Sequence, residues 1–180
     1  NAKNLAYARP EIMDVLMDVL VESTASYLIR QAQAGAEALQ IFDSWAGLLD
    51  ETLFQRLVIS PTREIIRRVR EDFPDIPIIG FPRGAGQNYI AYAEWAGASA
   101  IGLDSQIPPK WAQMLQSRLP VQGNLDPACL LAGGKAMAQT TEKILHDLGN
   151  GPFILNLAHG IHKDTPVENV EALMKQVREF

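Results

Sequence analysis

The chain has 180 residues, a length typical of one domain on the usual scale of roughly 100–200 residues per domain. Hydrophobic residues make up 47% of it and charged residues 21%, enough for a buried core, so disordered, collagen-like and low-complexity proteins are excluded. The net charge of −5 argues against a surface that binds nucleic acid or an anionic membrane.

The cysteine content and the length of the apolar runs indicate the cellular compartment of the protein. Cys129 is the only cysteine, which excludes internal disulfides and a multi-cysteine zinc site and is typical of a reducing compartment. No apolar run approaches the ~20 residues of a membrane-spanning helix, and residues 1–4 are not followed by the hydrophobic stretch of a signal peptide. We therefore expect a cytoplasmic protein. Because the sequence does not begin with methionine, we also expect it to be part of a longer chain.

The first third of the sequence predicts a helix, a strand and a second helix. Apolar residues at three- and four-residue spacing predict a helix from Pro10 to about Gln33, ended by Gly35. Residues 38–42 predict a buried strand followed by the polar sequence 43–47. Ser60 and Pro61 predict the start of the next helix, as its N-cap and first residue, and that helix runs to about Phe73.

The same order of strand and helix then returns four times. The predicted strands are residues 76–81, 98–103, 119–123 and 153–157. The predicted helices span about 87–95, begin at Pro108–Pro109, extend from 127 to about 148, and begin at Thr165–Glu168 with a capping box and a proline in the first turn. The chain is therefore predicted to be a series of about five βα units.

Alternating strands and helices indicate an α/β fold with a parallel sheet, either a doubly wound open sheet or part of a (β/α)8 barrel. Both architectures place binding residues at the carboxyl ends of the strands. A complete barrel typically needs ~250 residues, so on the pattern alone an open five-stranded sheet is the natural interpretation.

Three motifs that could bind a nucleotide or a metal fail on inspection. Residues 80–86 do not fit the dinucleotide fingerprint, and Pro82 removes an amide donor. Gly133–Gly134–Lys135 lacks the upstream glycine and the final Ser or Thr of a phosphate-binding loop. His159 and His162 have no cysteine or second histidine pair nearby, which argues against zinc.

Polar residues that follow the predicted strands are the remaining candidates for chemistry: Ser44, Arg83, Asp104, Asn124, Asp126 and His159. Each also has an ordinary structural interpretation. Asp126 before Pro127 is a typical helix N-cap, and Asp104, Ser44 and His159 fit turns. Arg83 could simply pair with a carboxylate at the surface. The residue types alone leave both interpretations open.

Four sequence blocks go beyond this pattern. In chain order they are L-Q-I-F-D-S-W-A-G (39–47), I-G-L-D (101–104), V-Q-G-N-L-D-P (121–127) and I-L-N-L-A-H-G-I (154–161). Together they resemble the C-terminal half of the uroporphyrinogen decarboxylase family, and the resemblance covers essentially the whole chain. It implies that residues 1–180 form a single domain, the C-terminal portion of a TIM-type (β/α)8 barrel, whose N-terminal portion is absent.

The resemblance also implies an activity and a set of site residues. The family removes the four acetate carboxyl groups of uroporphyrinogen III, giving coproporphyrinogen III and carbon dioxide in haem biosynthesis, without a metal or organic cofactor. Ser44 and His159 match its substrate-binding serine and histidine, and Phe42 matches the aromatic residue of its apolar cleft wall. Members are generally homodimers. The catalytic aspartate belongs to a segment before Asn1, so we expect the 180-residue chain alone to be inactive.

Two other functions remain as alternatives. Corrinoid-dependent methyltransferases share the barrel but bind zinc through a His-x-Cys pair and a distant cysteine, and the corresponding positions here are residues 81–83 and 158–159, without cysteine. A non-catalytic binding domain on an open sheet would tolerate alanine at Ser44 and His159 and would fold compactly. A half barrel would instead expose two strand edges and associate.

Overall fold

The structure, a computed structural model, describes residues 2–180 and confirms the predicted α/β class. The chain divides into two compact units, Asn1–Ala100 and Ile101–Phe180. In each unit the paired strands are parallel, and helical segments connect them. No helix among residues 2–180 is both long and apolar enough to span a membrane.

The first unit begins with two helices and then builds a pair of strands. Its elements are α1 (Ala2–Ala8), α2 (Pro10–Gln33), β1 (Leu39–Asp43), α3 (Glu51–Phe54), α4 (Ser60–Asp72), β2 (Ile78–Pro82) and α5 (Asn88–Trp95). β1 pairs with β2, Leu39 opposite Ile78 and Asp43 opposite Pro82. Leu39 and Ile78 pack with Leu28 of α2 and Val69 of α4 in one buried cluster. The helices therefore cover one face of this strand pair.

α4 begins at Ser60 as predicted, but the prediction that Ser60 is the N-cap of a new helix is wrong. α3 already begins at Glu51, where the Asp50 carboxylate caps the helix by accepting a hydrogen bond from the Leu53 amide at 3.1 Å. A π-helical turn, Gln55–Ile59, then carries the chain without a break into α4. Pro61 is tolerated inside this long helix because its missing amide falls just after the wider turn, where the regular hydrogen-bond ladder is already interrupted.

The remaining strands and their helices belong to the second unit, apart from Ala100, the first residue of β3. The elements are β3 (Ala100–Gly102), α6 (Pro109–Gln116), β4 (Val121–Leu125), α7 (Pro127–Ala132), α8 (Gly134–Leu148), β5 (Phe153–Leu157) and α9 (Val167–Glu179). β4 pairs with β3 on one side and with β5 on the other. A buried cluster joins Leu125 to Leu130, Met137 and Leu173 of α7, α8 and α9. The helices again cover one face of the strands.

Two helix boundaries in this unit differ from the prediction. The helical sequence from 127 to 148 is broken at Gly133, whose φ of 66° is left-handed, and the Asn169 side chain donates to the Leu130 and Leu131 carbonyls at the end of α7. The predicted capping box at Thr165 does not form, because α9 begins at Val167 without a side-chain cap. The Thr165 hydroxyl is buried, and among residues 2–180 it has no hydrogen-bond partner.

α2 is apolar on the face turned away from the core as well as on its buried face. Met13, Val21 and Leu28 are buried, whereas Val15 and Val19 on the opposite side are 65% and 56% exposed. Further exposed apolar residues extend this outer stripe: Ile12, Leu16, Leu20 and Tyr27. A contiguous exposed apolar stripe is typical of an interaction surface, so we expect it to promote association in solution.

Replacing Val15 and Val19 together by lysine is expected to reduce self-association of the chain. Both side chains are exposed, so the free energy of unfolding should change by no more than about 0.5 kcal/mol for each. Size-exclusion chromatography with light scattering measures the change in mass. The matched control adds the same charge at the exposed polar residues Gln33 and Gln139. An equal loss of association in the control would contradict the stripe as its cause.

Candidate active site

Ser44 lies in the turn that directly follows β1, and it is half-buried. The Asp43 carboxylate fixes this turn by accepting a hydrogen bond from the Trp45 amide at 3.2 Å. Burial raises the pKa of Asp43 above its usual value, although hydrogen bonds from the amides of Trp45 and Ala46 act in the opposite direction. The serine hydroxyl is thus carried at the carboxyl end of the strand, where the sequence predicted it.

Phe42, the predicted wall residue, is 67% exposed. Its neighbours Leu39 and Ile41 pack toward α2 and α4, and because side chains alternate along a strand, Phe42 lies on the opposite face. Phe81 stands opposite it in register on β2, and the two rings meet edge to face with centroids 6.1 Å apart. Phe42 therefore lies near the carboxyl end of β1, on its uncovered face, and Ser44 directly follows the strand.

The loop after β2 is joined to the Ser44 turn through backbone hydrogen bonds. The Arg83 amide donates to the Asp43 carbonyl, and the Gly47 amide donates to the Arg83 carbonyl, both at 3.0 Å. The Arg83 side chain is exposed, and within residues 2–180 no ion pair joins it to a carboxylate. The structural interpretation of Arg83 as half of a surface ion pair is therefore wrong.

Sequence reasoning missed a buried tyrosine beneath this turn. Tyr92 of α5 is 2% exposed, and its hydroxyl is hydrogen-bonded to Thr62. A Cβ atom on Gly80 would lie 2.3 Å from that hydroxyl, so the glycine leaves room for the ring. Burial raises the pKa of Tyr92 well above its ordinary range, which keeps the phenol neutral. The signal was Gly80 itself, an isolated glycine in a predicted strand.

The polar residues near the ends of β3 and β4 have structural partners, and Asn124, predicted to follow a strand, lies within β4. Asp104 is buried, and its carboxylate accepts from the Gln106 amide at 2.9 Å in a turn. The Asn124 side-chain amide donates to the Asp104 carbonyl at 3.0 Å. Asp126 caps α7, accepting from the Ala128 amide at 2.8 Å. The turn and N-cap interpretations of the two aspartates are confirmed.

His159 is exposed just after β5. The preceding residue, Ala158, is buried and donates its amide to the Leu125 carbonyl at 2.8 Å, which anchors the start of this loop. The His162 imidazole accepts a hydrogen bond from the Asp164 amide at 3.2 Å. In residues 2–180 no group of three or more His, Cys, Asp or Glu side chains is placed to bind a metal ion.

Parallel βα units with polar side chains just after the strands are the arrangement of α/β enzymes, in which substrate binds at the carboxyl ends of the strands. The family model described as uroporphyrinogen decarboxylase (URO-D) matches residues 1–180. The chain belongs to the uroporphyrinogen decarboxylase family. This confirms the predicted resemblance, and with it the assignment to a TIM-barrel family.

Curated relatives give the same result. The chain is 51% identical over 178 residues to the uroporphyrinogen decarboxylase of Chelativorans sp. (strain BNC1), covering 99% of this chain and 52% of that protein. It is 49% identical over 177 residues to that of Mesorhizobium japonicum, covering 98% and 52%. It is 49% identical over 178 residues to that of Rhodospirillum rubrum, covering 98% of this chain and 51% of that protein. The chain spans about half the length of the curated relatives it matches.

Proposed function

We propose that this chain forms part of a uroporphyrinogen decarboxylase, a cofactor-independent carboxy-lyase of haem biosynthesis that converts uroporphyrinogen III to coproporphyrinogen III. The observation that carries the proposal is the family match over all 180 residues. The positions of Phe42 and His159, which are exposed, and of Ser44, which is half-buried at the end of β1, support it. This match favours the proposal over the methyltransferase and open-sheet alternatives.

The side chains fit an anionic tetrapyrrole. Phe42, with Phe81 beside it, offers an apolar wall for the face of the macrocycle. The Ser44 hydroxyl can donate a hydrogen bond to an acetate or propionate carboxylate. The His159 imidazole can donate to another carboxylate and can hold a proton near neutral pH. Arg83 adds an exposed positive charge to the same unit as Ser44.

The chemistry needs no bound electron acceptor. Protonation of a pyrrole carbon lets the ring take up the electron pair of the C–C bond as carbon dioxide leaves. The side-chain carbon then takes up a proton and the ring carbon gives its proton back, so a C–H bond replaces the C–C bond. The protein then has to orient carboxylates, stabilise the cationic ring and supply protons. Ser44 and His159 are proposed to orient, and His159 is also placed to exchange a proton. We therefore propose no metal and no organic cofactor.

Further properties implied by the family are proposals as well. We propose that residues 1–180 are one domain, the C-terminal portion of the barrel, and that the polypeptide alone is inactive because the family's catalytic aspartate is not among them. We also propose a cytoplasmic homodimer that binds neither nucleic acid nor membranes. The net charge of −5 supports the last two points.

The test uses a chimera in which residues 1–180 replace the matching part of the Chelativorans relative, which the chain covers to 52%. Under anaerobic conditions the chimera is expected to convert uroporphyrinogen III to coproporphyrinogen III, measured by chromatography after oxidation to porphyrins. Ser44→Ala and His159→Ala should each lower kcat/KM about 10- to 100-fold, the effect of losing a hydrogen bond to a charged group.

Matched controls are Ser23→Ala and His146→Ala, which alter exposed residues of α2 and α8 and should leave kcat/KM unchanged. A folded chimera that forms no coproporphyrinogen, while the intact relative does, would overturn the proposed function. Measurable decarboxylation by the 180-residue chain alone would contradict the proposal that it is inactive.

A further inference from the structure

Arg83 follows β2 and is hydrogen-bonded through its backbone to both ends of the turn that carries Ser44. Its amide donates to the Asp43 carbonyl, which directly precedes Ser44, and its carbonyl accepts from the Gly47 amide, both at 3.0 Å. Asp43 and Pro82 are the last residues of β1 and β2 that pair in register, so Ser44 and Arg83 leave the two strands side by side. Arg83 therefore belongs to the same pair of loops as the candidate substrate-binding serine.

The backbone around Arg83 is held by close packing. Phe81 and Ala85, two residues before and after it, are each 5% exposed. Gly84 lies so close to Gly47 that a Cβ atom on Gly47 would be 2.3 Å from the Gly84 carbonyl oxygen. The Arg83 side chain, by contrast, is exposed. A fixed backbone with an exposed side chain lowers the entropy cost of binding a ligand at that side chain.

The positive charge of Arg83 has no carboxylate partner among residues 2–180, in a chain of net charge −5. The acidic residue of the neighbouring turn, Asp43, directs its carboxylate to the Trp45 amide at 3.2 Å. Other arginines of the same unit are paired with carboxylates: Arg9, Arg56, Arg67 and Arg68. An unpaired guanidinium beside this turn is suited to a carboxylate ligand, because its planar donors match the two carboxylate oxygens.

The chemistry of the reaction decides which carboxylates of the substrate this guanidinium should bind. Uroporphyrinogen carries acetate groups, which lose carbon dioxide, and propionate groups, which stay on the product. The negative charge of a reacting acetate disappears as its C–C bond breaks. A guanidinium bound to that acetate would therefore stabilise the ground state more than the transition state and slow the reaction. A propionate keeps its charge throughout, so a guanidinium bound to it stabilises both states equally.

We propose that Arg83 binds a propionate carboxylate of the tetrapyrrole beside the Ser44 turn. The guanidinium donates two hydrogen bonds to the carboxylate and stays charged throughout the reaction. It binds substrate and product alike, so it raises affinity without accelerating the decarboxylation step. The inference rests on the proposed function, because it takes the tetrapyrrole as the ligand.

The experiment uses the chimera of residues 1–180 with the Chelativorans relative and measures the binding of coproporphyrin III by fluorescence titration. Coproporphyrin III is the stable oxidised form of the product and carries propionates but no acetates. Arg83→Gln is expected to raise Kd about tenfold, through the loss of hydrogen bonds between charged groups. Arg83→Lys keeps the charge but not the paired donors, so the rise should be smaller. Arg63→Gln is the matched control, because it removes the same charge at an exposed residue of α4 and should leave Kd unchanged.

Kinetics with uroporphyrinogen III give a second readout. Arg83→Gln should raise KM about tenfold and leave kcat unchanged, because the contact is equal in the ground and transition states. A rise in KM with an unchanged Kd for coproporphyrin would overturn the inference, because the contact would then be with an acetate.

Three further results would overturn the inference: unchanged Kd and KM for Arg83→Gln, an equal rise in Kd for Arg63→Gln, or no saturable binding of coproporphyrin by the chimera. Circular dichroism checks that each protein is folded. A chimera that binds coproporphyrin through Arg83 but forms no coproporphyrinogen would instead contradict the proposed function alone.

Discussion

Gly123→Ala is expected to lower the free energy of unfolding by about 4 kcal/mol, through overpacking and backbone strain together. A Cβ atom at Gly123 would lie 2.7 Å from the backbone carbonyl oxygen of Leu103. Leu103 is 1% exposed, and its amide donates to the Gln122 carbonyl at 2.7 Å, so the pairing of β3 with β4 leaves this oxygen no room to move. The φ angle of Gly123, 137°, adds strain for any other residue.

Urea unfolding of the two proteins measures this loss. Gly97→Ala is the matched control, because Gly97 also has a positive φ of 78° but a Cβ atom there would meet nothing within 4 Å. Gly97→Ala should lower the free energy of unfolding only through backbone strain, by about 1–2 kcal/mol. If both variants lose the same free energy, the contact with Leu103 contributes nothing and the explanation is wrong. The comparison thus separates close packing from conformational strain.

The sequence was sufficient for the strands and for the residues that follow them. Short runs rich in apolar residues and bounded by turn-forming residues located the five strands of residues 2–180, because such runs are typical of strands. Asp126 before Pro127 correctly predicted the N-cap of α7, because the carboxylate and the proline both fit a first helical turn. Local chemistry decides these features, and the sequence displays it directly.

Features decided by distant contacts could not be predicted. The start of α3 at Glu51 was hidden by Ser60–Pro61, a strong local start signal that the continuous helix overrides. The break at Gly133 depends on Asn169, which comes from a different helix. The individual residue types carry no sign of these partners.

In the candidate site, too, some features follow from local residues and others from distant contacts. Ser44 was found because it follows a strand, and the sequence blocks gave it a role. Its position, however, depends on Gly47, which lies against Gly84 in the loop after β2. Nothing in the sequence says that these two glycines touch, because the contact brings together residues from separate βα units.

Gly47→Ala is expected to disturb the candidate site more than any replacement of its neighbours in the turn. A Cβ atom at Gly47 would lie 2.3 Å from the carbonyl oxygen of Gly84 and 2.8 Å from its Cα. Both are backbone atoms, so the two loops have to separate, which strains the hydrogen bond from the Gly47 amide to the Arg83 carbonyl. We expect a loss of about 2–3 kcal/mol in the free energy of unfolding.

In the chimera, Gly47→Ala should lower kcat/KM by more than the loss of stability alone would. Displacement of the turn moves Ser44, and a misplacement of about 1 Å can lower a rate about 100-fold. Gly160→Ala is the stability control. A Cβ atom there meets nothing within 4 Å among the described residues, so the free energy of unfolding should not change. If Gly47→Ala lowers kcat/KM no more than Ser44→Ala does, the turn acts only through its serine. A larger fall shows that the two joined loops position the substrate together.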